Sequence, residues 1–215
     1  MKNLLPKLRK FSQEVFPTQK PLFESLSLGQ KPHTLMITCS DSRIDPNLVT
    51  QTQPGELFVV RNAGNIVPPF GASKGGEEAA IEFAIDGLGV SNIVVCGHSH
   101  CGAMSALMGK VNLDALPSVK GWLDHAQTTR RRLAAAQLNR EPSAGEVAEE
   151  NVLAQVDNLK THPAVSAALR QGRIHIFGWV YHFETGNVAI YDRQHRKFIA
   201  SSEVPSETSD SRFAL

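Results

Sequence analysis

Apolar residues along this chain follow two rhythms, and together these predict its elements. Residues 33–38, 57–61 and 92–96 are short, nearly unbroken apolar runs, each flanked by turn-forming Gly, Pro, Ser, Asp or Asn. Runs of this length and type predict strands buried on both faces of a parallel sheet. Residues 174–184 and 187–192 predict two further strands, joined by Thr185-Gly186 as a hairpin. The helical rhythm opens the chain at 2–29, where Leu5, Leu8, Phe11 and Val15 share one face, Pro17 and Pro21 interrupt the pattern, and Gly29 stops it. Asp45-Pro46-Asn47 has the chemistry of a helix start and predicts a short helix to Thr50. Longer helices are predicted over 77–88, 102–108, 116–138 and 146–170, and the serine-rich residues 201–215 predict a frayed tail. An alternative for the closing Phe213-Ala214-Leu215 is a docking peptide.

The expected fold is therefore α/β. It has one domain with a central mostly parallel sheet, an antiparallel edge strand, flanking helices and an N-terminal helical arm. The arm takes residues 1–30, the α/β domain 31–200 and a flexible tail 201–215.

Composition changes this picture little. A chain of 215 residues with 41% hydrophobic and 20% charged residues can bury a sizeable core. A net charge of +1 gives no reason to expect nucleic acid or an anionic membrane surface. The Arg130-Arg131-Arg132 run reads as a solvated helix face, and Gly75-Gly76 lacks the Gly-Lys-Ser/Thr of a phosphate loop. Residues 1–10 lack the apolar stretch of a signal peptide, and no run reaches the roughly 20 apolar residues of a membrane span. Three cysteines suit a reducing compartment better than a disulfide framework, so the expected location is cytoplasmic.

Chemistry enters where two predicted strands end. Cys39-Ser40-Asp41-Ser42-Arg43 follows the first, and Gly97-His98-Ser99-His100-Cys101-Gly102 follows the third. In an open parallel sheet the carboxyl ends of neighbouring strands form the ligand crevice, so two thiolates and an imidazole converge there. Cys39, His98 and Cys101 make a zinc set with room for a fourth ligand. Asp41 is the candidate for that position in a closed state. In an extended segment Arg43 would lie on the same side and could pair with it bidentately, freeing the site for water. His100 reads as a non-ligand, and Cys96, inside an apolar strand, as inert core.

The pair Cys-x-Asp-x-Arg and His-x-x-Cys resembles the beta-class carbonic anhydrases of the plant-like and cyanobacterial-like branch. The resemblance runs from about Phe11 to about Arg193 and takes in Pro54-Gly55-Glu56, Val60-Arg61-Asn62-Ala63-Gly64-Asn65 and Gly178-Trp179-Val180-Tyr181. It implies one zinc ion on Cys39, His98 and Cys101, and a catalytic dyad of Asp41 and Arg43. It further implies a substrate pocket in which Gln53 hydrogen-bonds bicarbonate and Phe70 and Phe83 form an apolar wall. Phe83 stands where plant-like members carry a tyrosine, so a hydroxyl is lost. The implied reaction is reversible hydration of carbon dioxide to bicarbonate and a proton. The implied assembly is a homodimer or higher homo-oligomer, with the arm lying across a partner protomer, where the chain alone equally allows its apolar face to pack on its own domain; a carboxysome-type shell is one candidate partner. One branch of the family also binds bicarbonate at a regulatory site built on a tryptophan and a glycine. Those positions hold Met36 and Thr38 here, with Tyr181 matching a third member. Rival readings are carbonyl sulfide or carbon disulfide hydrolysis on the same scaffold, a non-catalytic zinc-stabilised assembly protein, and a phosphate- or nucleotide-binding domain.

Overall fold

The structure is a computed structural model that describes residues 2–137, 139–205 and 210–215. It separates into two compact units, Met1–Lys31 and Pro32–Leu215.

In the first unit α1 (Leu5–Lys10) runs through a wide π-turn (Phe11–Val15) into α2 (Phe16–Leu26). The expected breaks at Pro17 and Pro21 do not occur. Pro17 follows directly on the wide turn, whose looser backbone accommodates its ring and missing N–H, and Pro21 lies inside α2. Neither helix buries a residue, and Leu4, Leu5, Leu8 and Phe11 stay exposed.

The second unit is built on a six-stranded sheet of order β2-β1-β3-β4-β5-β6. In chain order its elements are β1 (Thr34–Cys39), α3 (Pro46–Thr50), β2 (Leu57–Asn62), α4 (Gly76–Glu82), β3 (Asn92–His98) and α5 (Gly102–Leu107). There follow α6 (Pro117–Leu123), α7 (Gln127–Ala135), α8 (Ala144–Leu159), α9 (Pro163–Arg170), β4 (His175–Tyr181), β5 (Val188–Asp192) and β6 (Lys197–Ala200). β2, β1, β3 and β4 are parallel, and β5 and β6 add an antiparallel edge. β6 is absent from the sequence reading. Its hairpin turn carries no glycine and is instead closed by Asp192, whose Oδ1 accepts from the N–H groups of Gln194 and His195.

Strand periodicity sorts the core. Leu35, Ile37, Ile93, Val95, Ile176 and Val180 face α8 and α9 in the main cluster, while Met36, Val94 and Cys96 point to the other face with Phe177 and Trp179. α8 lies close over β3 and β4 because both strands offer a glycine beneath it. A Cβ on Gly97 or on Gly178 would stand 2.9 Å from a methyl of Val152.

Three expected elements change. The helix expected over 116–138 bends at a 3-10 turn (Asp124–Ala126), and Leu138 lies outside the described residues. Each half is tied elsewhere: Trp122 Nε1 donates to Ala63 O and Thr129 Oγ1 to Asn151 Oδ1. The helix expected over 146–170 is two helices. Pro163 cannot continue α8, and His162 before it is extended, as a pre-proline residue prefers. α8 also starts earlier, at a Ser143–Glu146 capping box. The tail is not frayed where it is described. Phe213 is buried, Leu215 N donates to Ile176 O, and Arg212 pairs with the fully buried Asp192; residues 206–209 lie outside the described residues.

Candidate metal centre

β1 and β3 are parallel neighbours in register, Thr38 beside Cys96, so their carboxyl ends deliver Cys39 and His98 side by side. Cys101 is the residue at which α5 begins, and it turns its sulfur back to the same point. The ligand atoms of Cys39, His98 and Cys101 lie within 4.8 Å of one another, and all three residues are buried. His98 Nδ1 is 2.7 Å from Ser99 O, which makes Nδ1 the protonated nitrogen. Nε2 therefore carries the lone pair, and this buried atom has no partner in the protein. A buried imidazole lone pair facing two sulfurs is what a soft divalent cation requires.

The thiols lean the same way. The Cys39 thiol is pulled down to about 4 by its hydrogen bond with Cys101, helped by the N–H groups of Gly64 and Asp41, against the opposing effect of burial. The Cys101 thiol is pushed up by its hydrogen bond to Cys39, by burial and by the charge on Cys39. Two buried sulfurs this close cannot both carry charge without a cation between them. The third cysteine is different. Cys96 is buried without charged neighbours, and burial pushes its thiol up to about 12.

Asp41 and Arg43 meet, though not on an extended segment. Arg43 N donates to Asp41 Oδ1 at 3.0 Å and Ile44 N to Asp41 O at 3.0 Å, a tight turn closed by the aspartate itself. The turn folds the guanidinium onto the carboxylate, Nε to Oδ1 at 2.9 Å and NH2 to Oδ2 at 2.7 Å. Hydrogen bonding from the Arg43 side chain and backbone N–H, with the guanidinium charge, holds the Asp41 carboxyl well below the usual carboxylate range. Asp41 Oδ2 is 4.0 Å from His98 Nε2, so the carboxylate looks into the metal cluster while Arg43 holds it.

Two supports escape the sequence reading. Arg61 donates to Cys39 O at 3.0 Å and to Asp41 O at 2.8 Å, bracing the loop from β2. Phe183 lies 4.5 Å beneath the Arg43 guanidinium and 5.0 Å from the His98 ring. Neither residue sits at metal-ligand spacing, so nothing local in the sequence marks it.

The carbonic anhydrase family model matches residues 34–188, well over half of the chain. A carbonic anhydrase of Synechococcus elongatus is 48% identical over 208 residues, covering 95% of this chain and 76% of that protein. The chain belongs to the beta-class carbonic anhydrases. Among solved structures, the beta-carbonic anhydrase CcaA matches with a TM-score of 0.90 at 44% identity, covering 97% of this chain and 94% of the other. Tetrameric beta-carbonic anhydrases from Sordaria macrospora match with a TM-score of 0.77 at 28% identity, over 88% and 95%.

As in other carbonic anhydrases, the reaction is hydration of carbon dioxide, and the named relatives favour neither sulfide hydrolysis nor a structural role. The remaining expected residues of this carbonic anhydrase lie apart from the cluster's hydrogen bonds, among the described residues. Gln53 is exposed, with its backbone N–H on Glu56 Oε2. Phe70 is 48% and Phe83 49% exposed; they pack against His162 and Phe58 respectively. His100 sits in a left-handed backbone conformation, its ring 3.8 Å from Glu184 and outside the metal group. No described helix is long and apolar enough to cross a membrane.

Proposed function

We propose that Cys39, His98 and Cys101 hold one zinc ion, that Asp41 and Arg43 are the catalytic dyad, and that Gln53, Phe70 and Phe83 receive the substrate. The observation that carries this reading is the unpartnered His98 Nε2 facing two sulfurs, one of them strongly acidified. Zinc supplies Lewis acidity, which makes a nucleophile of water near neutral pH.

The chain's own residues do the rest. Arg43 grips both carboxylate oxygens of Asp41 and keeps that side chain off the fourth ligand position. Ionised Asp41 is an acceptor only, so it orients the hydrogen of the attacking water and fixes the direction of its lone pair. Phe183 beneath Arg43 limits where the guanidinium can go, which keeps the dyad in one geometry. Carbon dioxide is uncharged and apolar and suits an aromatic wall, whereas the charged product needs a donor such as the Gln53 amide. Two thiolates donate more charge than imidazoles would, so activity should rise into the alkaline range.

The wall residues are half exposed on one chain, which supports a pocket completed by a second copy, with a homodimer as the smallest unit. The exposed apolar face of the arm supports the same assembly. Three free thiols support a reducing, cytoplasmic setting.

Metal analysis joined to a stopped-flow carbon dioxide hydration assay, with carbonyl sulfide as a parallel substrate, tests the reading. About one zinc per chain and fast hydration are expected. A protein that binds no zinc, or that prefers carbonyl sulfide, would overturn it. Sedimentation should give a dimer or larger, and a fully active monomer would remove the second copy from the pocket.

A further inference from the structure

Behind the metal cluster, the turn at 63–65 is held from two sides by residues far away in sequence. Gly64 N–H donates to Cys39 Sγ at 3.3 Å. The oxygen of the same peptide, Ala63 O, accepts the indole N–H of Trp122 at 2.8 Å. The oxygen of the next peptide, Gly64 O, accepts Asn151 Nδ2 at 3.0 Å. Gly64 itself has φ +83°, and a Cβ there would stand 2.9 Å from Ala103 Cβ, so no other residue fits.

The orientation of the Asn151 amide follows from backbone chemistry. Val67 N–H can only donate, so its partner on Gln155 is the oxygen, and Gln155 Nε2 must then donate. It donates to Asn151 Oδ1, which also accepts from Thr129, leaving Asn151 Nδ2 as the donor aimed at Gly64 O. Asn151 and Gln155 are 1% and 0% exposed, so this ladder is fully desolvated and its geometry is firm.

We propose that Trp122 and Asn151 are positioning residues of the metal centre, clamping the 63–65 turn so that the Gly64 N–H stays on the Cys39 sulfur. Trp122 also polarises the peptide that makes this bond, since a hydrogen bond to an amide oxygen strengthens the donor at its nitrogen. The clamp thereby moderates how much charge the Cys39 thiolate gives to a metal. The inference rests on the reading of Cys39 as a metal ligand.

The test uses cobalt in place of zinc and reads the sulfur-to-metal charge-transfer band of the full-length protein. Trp122→Phe removes one N–H and keeps the ring; Asn151→Asp turns the donor at Gly64 O into an acceptor. Both should move the band to longer wavelength, because a thiolate that loses a hydrogen bond is a better electron donor. Both should also weaken zinc in competition with a chelator, up to about tenfold. His162→Phe cuts a comparable buried bond, to Pro68 O at 3.0 Å, that lies outside this ladder, and it should leave the band in place. An unmoved band in Trp122→Phe, or an equal shift in His162→Phe, overturns the clamp. If Asn151→Asp does not fold, the partly exposed Trp122→Phe decides alone. A wild-type cobalt protein with no such band overturns the metal reading first, and the clamp with it.

Discussion

Cys39 and Cys96 lie on adjacent strands, are both nearly inaccessible, and have opposite chemistry. One thiol is drawn down to about 4 and the other pushed up to about 12. Burial alone would raise both. The difference is that Cys39 ends its strand, where Cys101 and the Gly64 N–H reach its sulfur, while Cys96 sits inside β3, where burial outweighs the bonds from Thr38 and the Tyr181 backbone. The apolar interior and the reactive strand end are built from the same kind of residue, and position within the sheet separates them.

The largest expected effect breaks the reactive side of that contrast. His98→Ala or Cys39→Ala should lose zinc and all measurable hydration, whereas Cys96→Ala should keep both at a stability cost of about 1 kcal/mol. Metal analysis of the three proteins checks this, and full zinc in His98→Ala would show that the ligands are misassigned. Next comes Arg43→Ala, which leaves every sulfur untouched. Freed of its partner, Asp41 is expected to settle on the metal, so zinc should be retained while hydration falls about a hundredfold or more. Wild-type turnover would remove the dyad from the reaction.

A smaller effect sharpens the comparison through pH. In zinc-stripped protein, iodoacetamide should label Cys39 at a nearly constant rate between about pH 5 and about pH 8 and should leave Cys96 unlabelled. The same depressed group binds its proton more tightly when unfolded, so its contribution to stability grows as pH rises from about 4 towards 9 and is lost as pH falls through the folded value. A labelling rate at Cys39 that climbs tenfold per pH unit across that window would mean an ordinary thiol. The smallest expected effect is an absence. Thr38 is fully buried with its hydroxyl on Cys96 O, and Met36 offers no N–H donor, so bicarbonate should inhibit without cooperativity. Sigmoidal inhibition curves would contradict this.

The parts of the fold legible in the sequence were those coded within a few residues. β1 and β3 announce themselves because both of their faces are apolar, and the Cys39, His98 and Cys101 cluster because its two motifs each come at the end of such a run. β6 escaped because an aspartate closes its turn where a glycine signal was sought. The Asp41 turn escaped for the same reason: a side chain accepting its neighbour's N–H leaves no hydrophobic trace. The docked tail depends on Asp192 meeting Arg212, and the clamp on bonds spanning 59 and 87 positions. Pattern along a chain carries no record of such pairings.

The two glycines beneath Val152 place a restriction on how this chain can vary. Each methyl of that valine occupies the space a side chain at Gly97 or Gly178 would need. Gly178→Ala alone should be costly, and Val152→Ala alone should leave a cavity, yet the pair should be milder than the sum. A double-mutant cycle would then show coupling of about 1 kcal/mol or more. Positions 97, 152 and 178 thus form one epistatic unit, in which an acceptable change at one depends on what the other two already hold.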